Sequence, residues 1–186
     1  PAALASIIFG LYAGLVYVTP PGGGLLADRL TGRTMAVTIG ALLMAIGHFL
    51  MAFEASFLIA LLCLLIGVGC FKGNIAAQVG DLYDEADPRR ADAFQIYYIF
   101  IQVAVIISPL VCGTLGESVG WHWGFGAAGV GMLIGLAIYL FGRSTLPKEN
   151  IRNGEVKRPP LKARDMRAIV LLAFLNLPLA LSLVGN

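Results

Sequence analysis

Residues 57–79, FLIALLCLLIGVGCFKGNIAAQV, decide how the chain is read. A helix needs about 20 apolar residues to cross a hydrocarbon core of about 30 Å, and this stretch supplies them. One residue breaks the pattern. Lys72 stands well inside the run, where an ammonium costs about 2.5–3.5 kcal/mol on insertion scales and needs a polar neighbour or a water-filled cavity. Gly67, Gly69 and Gly73 surround it, and the small residues at 69 and 73 are spaced to admit a second helix at close range. Close packing alone does not account for the lysine.

The rest of the chain fits that setting. Of its 186 residues, 58% are hydrophobic and 13% charged, against roughly 45–50% and about 25% in soluble domains. An all-α polytopic membrane protein is expected. Six apolar stretches can be drawn, at about 3–27, 35–53, 57–79, 93–115, 123–142 and 168–185. Charge sorts the loops between them. Arg29 and Arg33 lie in the first loop, Arg89 and Arg90 in the third, and a basic cluster from Arg143 to Arg167 in the fifth. The loops around Glu54 and Glu117 hold no Lys or Arg. The positive-inside rule then places loops 28–34, 80–92 and 143–167 in the cytoplasm of a cell (inner or plasma) membrane. The expected organisation is a membrane bundle at 1–142, a basic cytoplasmic linker at 143–167, and the start of another membrane helix at 168–186. The linker attracts anionic lipid rather than nucleic acid. Because the chain opens on Pro1 with a span running inward, and stops at Asn186 while still apolar, it reads as a piece of a longer protein.

Local features add detail. Pro20-Pro21-Gly22-Gly23-Gly24 removes two amide donors from the first span, so a kink or hinge is expected there. Asp87 and Pro88 suit the N-cap and first position of the fourth helix, and Pro109 suits a kink within it. His48 and His122 fall near the outer ends of their helices, where interfacial or helix-bonded roles are expected. Trp121 and Trp123 belong at the outer interface, and the five glycines from Gly124 to Gly135 are expected to mark a packing face. Cys63, Cys70 and Cys112 lie inside spans and read as small buried hydrophobes, so neither a metal site nor a cofactor is expected.

Depth links three spans. Tyr17 is eleven residues from Asp28, Lys72 nine from Asp81, and Gln102 ten from Asp92. At 1.5 Å per residue each lies about 14–17 Å from the cytoplasmic face, near the middle of the core. A phenol, an ammonium and an amide in one plane suit a small polar ligand with an anionic group. Secondary transporters hold their substrates at this depth.

These residues also carry a resemblance. GGLLADRLTGR at 23–33 resembles the cytoplasmic signature of the major facilitator superfamily. From Gly67 to Met132 the chain resembles the proton-dependent oligopeptide transporter family, whose pattern runs G-x-G-x-x-K-P-N, G-D-x-Y, R-R-D, F-Y-x-x-I-N-x-G and P-L-x-x-G. The likeness covers about residues 7–142 and implies helices two to seven of a twelve-helix bundle. By that resemblance Tyr17, Lys72, Asn74 and Gln102 bind substrate, and Lys72 also takes part in proton coupling. Asp28, Arg29, Arg33, Asp81 and Arg90 belong to a conformational gate. Gly73, Gln102 and Ala104 stand where the family has proline, asparagine and glycine. The main proton carriers fall outside this chain.

The implied function is proton-coupled import of di- and tripeptides by alternating access, with substrate, protons, the lipid bilayer and the transporter's remaining helices as partners. Another small anionic solute, such as nitrate or an amino acid, is the alternative within transport, and a non-transporting nutrient sensor is a second. An intramembrane serine protease needs a nucleophile with a paired base. Ser6, Ser56, Ser108 and Ser118 lack a Gly-x-Ser-Gly setting, so no enzyme is expected.

Overall fold

A computed structural model describes residues 2–147; most of the basic linker and the apolar stretch at 168–185 lie outside the described residues. Helix α1 spans Ala2–Leu26 and runs on into a wider π-helical turn at Ala27–Thr31. Gly32, at φ 85°, ends that turn and starts α2, Arg33–Leu50. A positive φ of this size is open to glycine and strained for other residues. A short 3₁₀ turn at Glu54–Ser56 leads into α3, Phe57–Asp81, and α4 covers Arg89–Ser108. A second π-helical turn, Pro109–Gly113, joins α4 to the short α5, Thr114–Ser118, and α6 follows at Trp121–Gly142.

Among the described residues, four helical stretches are long and apolar enough to cross a membrane: Arg33–Leu50, Glu54–Asp81, Arg89–Ser118 and Trp121–Thr145. They match four of the expected spans. The first expected span forms α1, 25 residues without an acidic or basic side chain.

The bundle is assembled around α2 and α3, which pack antiparallel. Gly40 of α2 faces Gly67 and Phe71, and Gly47 faces Ala60 and Leu64. Ala36, Val37, Ala41 and Ala45 are buried along α2. Such small residues let backbones approach within reach of dispersion contact, which holds helices together where lipid removes the hydrophobic drive. On the other side of α3 lies α1, with Thr19 against Gly69 and Pro20 against Gly73. The small pair at 69 and 73 thus admits a second helix as expected, and that helix is α1. Against α2 packs α6, with Gly129 over the Phe49 ring.

Two expectations need correction. α1 continues as helix through Pro20 and Pro21; the irregularity lies a turn later, at Ala27–Thr31. Close packing of this segment on α3 holds it helical despite the two missing donors. At Pro109, where the sequence suits a kink, α4 gives way to a π-helical turn, a wide turn that accommodates a ring where an amide is missing. Of the five glycines in α6, only Gly124 and Gly129 meet a neighbour; Gly126, Gly131 and Gly135 face open space. Other details agree with the sequence. His48 Nδ1 bonds the Met44 carbonyl at 2.7 Å within its own helix. Asp87 Oδ1 accepts the Arg89 amide at 2.9 Å and so caps α4.

Candidate functional site

The central pair forms where α1 crosses α3. Lys72 Nζ lies over the Tyr17 ring, 4.9 Å from its centroid. An ammonium at this distance from an aromatic face is attracted by the ring quadrupole, worth about 0.5–2 kcal/mol depending on desolvation. That offsets part of the cost of a charge in a helix apolar enough to cross a membrane and leaves the ammonium able to donate elsewhere. Both residues are exposed on the bundle surface rather than sealed inside it. Their shared depth was legible from the loops; their contact depends on how the two helices are rotated.

Asn74, two residues further along α3, is 2% exposed. Its amide donates to the Gly23 carbonyl at 3.2 Å and to the Cys70 carbonyl at 2.8 Å. Asn74 therefore ties α1 to α3 beside Lys72. The tie fits the glycine contact, because Gly23 approaches the Gly69 backbone at the same crossing. Nearby, the Thr19 hydroxyl is buried without a hydrogen-bond partner among the described residues. Gln102 stands on the exposed stretch of α4, with no hydrogen bond among the described residues. The structure does not bring it against Tyr17 or Lys72 in any recorded contact.

At the end of the bundle where the basic loops gather, Arg33 joins three elements. It pairs with Asp28, Nε to Oδ1 at 3.6 Å, and with Asp81 through Nη1. The first π-helical turn, the start of α2 and the end of α3 thus meet in one ion-pair cluster. Arg29 is exposed on that turn. Arg90 lies at the start of α4, its guanidinium beside Gly80 of α3.

One functional group escaped the sequence reading. Gln78 is 4% exposed in α3; its Nε2 donates to Thr34 Oγ1 at 3.0 Å and its Oε1 accepts from Tyr139 at 2.9 Å. It bridges α2, α3 and α6, one turn above the Arg33 cluster. The signal was present: Gln78 follows Asn74 by four residues, so the two amides share one face of an apolar helix.

The sequence profile of the POT family matches residues 34–170. The chain is 42% identical over 144 residues to the peptide transporter YePEPT of Yersinia enterocolitica, covering 75% of this chain and 28% of that protein. It is 38% identical over 172 residues to the di-/tripeptide transporter of Lactococcus lactis, covering 90% of this chain and 33% of the relative. A crystal structure of a variant of the peptide transporter POT in complex with alafosfalin superposes with a TM-score of 0.75 at 32% identity, covering all of this chain and 38% of that one. The chain spans about a third of the length of the proteins it matches.

Proposed function

The chain belongs to the POT family, and on that premise we propose that it forms part of a proton-coupled symporter importing di- and tripeptides by alternating access. The observation that carries the reading is the Lys72 ammonium over the Tyr17 ring, exposed at the α1–α3 crossing. A zwitterionic peptide offers a carboxylate to that ammonium and hydrogen-bonding groups to the phenol. Between transport cycles, a carboxylate from another part of the transporter pairs with Lys72, and the exchange of partners couples proton to substrate. Asn74 holds α1 at the distance from α3 that sets the pair's geometry, and Gln102 offers its amide from α4. Relatives described as peptide and di-/tripeptide transporters support the substrate class.

The Asp28–Arg33–Asp81 cluster is the gate element in this reading, with Arg29 and Arg90 at its margin. It holds three helix ends together in one conformation and opens as the bundle rocks. The loops that carry it face the cytoplasm, in keeping with their positive charge.

The test is uptake of labelled dialanine by the full-length protein in proteoliposomes under an inward proton gradient. Accumulation above equilibrium, abolished by a protonophore, is the expected result. Lys72→Ala should remove concentrative uptake while leaving the protein folded and inserted. Wild-type accumulation by that variant overturns the role given to Lys72; no accumulation by the parent, with nitrate taken up instead, overturns the substrate.

A further inference from the structure

We propose that the cleft between the start of α2 and the end of α6 binds the phosphate of an anionic phospholipid. The cleft has a volume of about 620 Å³, within the range of ordinary small-molecule sites. Thr31, Thr34, Thr38 and Ser144 line it, and Arg143 is the one charged residue among the described residues of the lining; the Thr31 and Thr38 hydroxyls donate to the Gly32 and Thr34 carbonyls, and Thr34 Oγ1 accepts from Gln78. Among the described residues no carboxylate lines the cleft, which favours an anion. The Arg143 guanidinium beside the Ser144 hydroxyl matches the oxygens of a phosphate diester, which accept charge-assisted hydrogen bonds. The nearby cation Arg33 is already engaged by Asp28 and Asp81, which leaves Arg143 as the cation for a ligand here.

The remaining walls choose between a free phosphate and a lipid. Met35 and Leu146 also line the cleft. From Met35 an apolar stripe runs along α2 through Ile39, Leu42 and Ile46, each of them 40–55% exposed. The spacing of four, three and four residues puts them on one helix face. On α6, Ile138 and Phe141 are 67% and 87% exposed in the half of the helix that leads to Arg143. A headgroup in the cleft therefore has an acyl track beginning at its edge, which inorganic phosphate would leave unused. Arg143 directly follows the apolar helix α6, the level at which basic sites between helices meet headgroups. The inference rests on the helices spanning a membrane but is independent of the transported substrate.

Native mass spectrometry of the full-length protein tests it, with phosphatidylglycerol, phosphatidylcholine and inorganic phosphate as probes. The wild type should retain phosphatidylglycerol in preference to phosphatidylcholine, and inorganic phosphate should not displace it. Arg143→Gln should lower phosphatidylglycerol occupancy about five-fold, the effect of one basic residue at an anionic surface, and Ser144→Ala should lower it less. Lys157→Gln, which removes the same charge from the linker, should leave it unchanged. Equal losses at 143 and 157 would mean diffuse attraction by the basic segment and overturn the site. Equal retention of the two lipids overturns it as well, and displacement by inorganic phosphate overturns the lipid assignment.

Discussion

Helices α3 and α4 are comparable in length and both apolar, yet they behave oppositely. Along α3 the residues Gly67, Gly69, Asn74, Gln78 and Gly80 are buried against α1, α2, α4 and α6. Along α4 no residue is buried, and it meets α3 mainly through Arg90 and Phe94 at its first turns. Within residues 2–147 the contrast goes with residue size. α3 carries four glycines between 67 and 80, whereas Arg89–Ser108 carries none. In lipid, apolarity does not discriminate between a neighbouring helix and the solvent, so among these residues the closest contacts form where small residues let backbones approach. The polar groups follow the same division. Asn74 and Gln78 find carbonyl, hydroxyl and phenol partners where the backbones are close, while Gln102 on α4 finds none among the described residues.

The largest way to break this contrast is Gly23→Ala. The new methyl would meet the Gly69 backbone carbonyl, which cannot rotate aside, and overpacking of this kind costs about 1–3 kcal/mol or more. A drop in the thermal midpoint of the full-length protein in detergent is expected; an unchanged midpoint would mean that the α1–α3 crossing is not close. Gln78→Leu comes next. It removes both bonds that link α2, α3 and α6 and leaves Thr34 and Tyr139 without that partner, at about 0.6–2 kcal/mol for interhelical polar contacts. Stability should fall by that amount in a denaturation titration, and Tyr139→Phe should fall by less.

Ile106→Ala sharpens the comparison from the other side. Ile106 is 65% exposed on α4, and substitutions away from packed features usually stay within about 0.5 kcal/mol. A loss as large as that of Gly23→Ala would show that α4 is packed as tightly as α3. The smallest effect belongs to Asp87. Hydrogen bonds from the Arg89 side chain and amide hold its carboxyl below the usual range. The stabilisation is present above the unfolded carboxylate value of about 3.9 and is lost as pH falls through the lowered folded value. Asp87→Ala should speed hydrogen exchange at the Arg89 amide near neutral pH, and acid should bring the parent toward the variant. Exchange that ignores both changes would remove the cap.

Much of this was legible in the residues because the signals are local. Apolar length marked the helices, Lys and Arg sorted the loops, and the position of Lys72 in an apolar run marked the level of α3 that needs a polar neighbour. What the sequence missed shares one cause. The Gln78 bridge needs Thr34 and Tyr139, respectively 44 and 61 residues away, and nothing local announces such partners. The regular passage of α1 through Pro20 and Pro21 is likewise a matter of what packs on it.

By itself, then, the sequence determined that the chain crosses a membrane, which loops share a side, and which family's motifs it carries, since hydropathy, charge and spacing are written residue by residue. Only the tertiary structure decided that Lys72 meets Tyr17, that Asn74 turns inward to hold α1, and that Arg143 and the α2 hydroxyls enclose a cleft. Those outcomes depend on the rotation of each helix about its axis and on how closely two backbones approach, and both are fixed by the packing of glycines far apart in the chain.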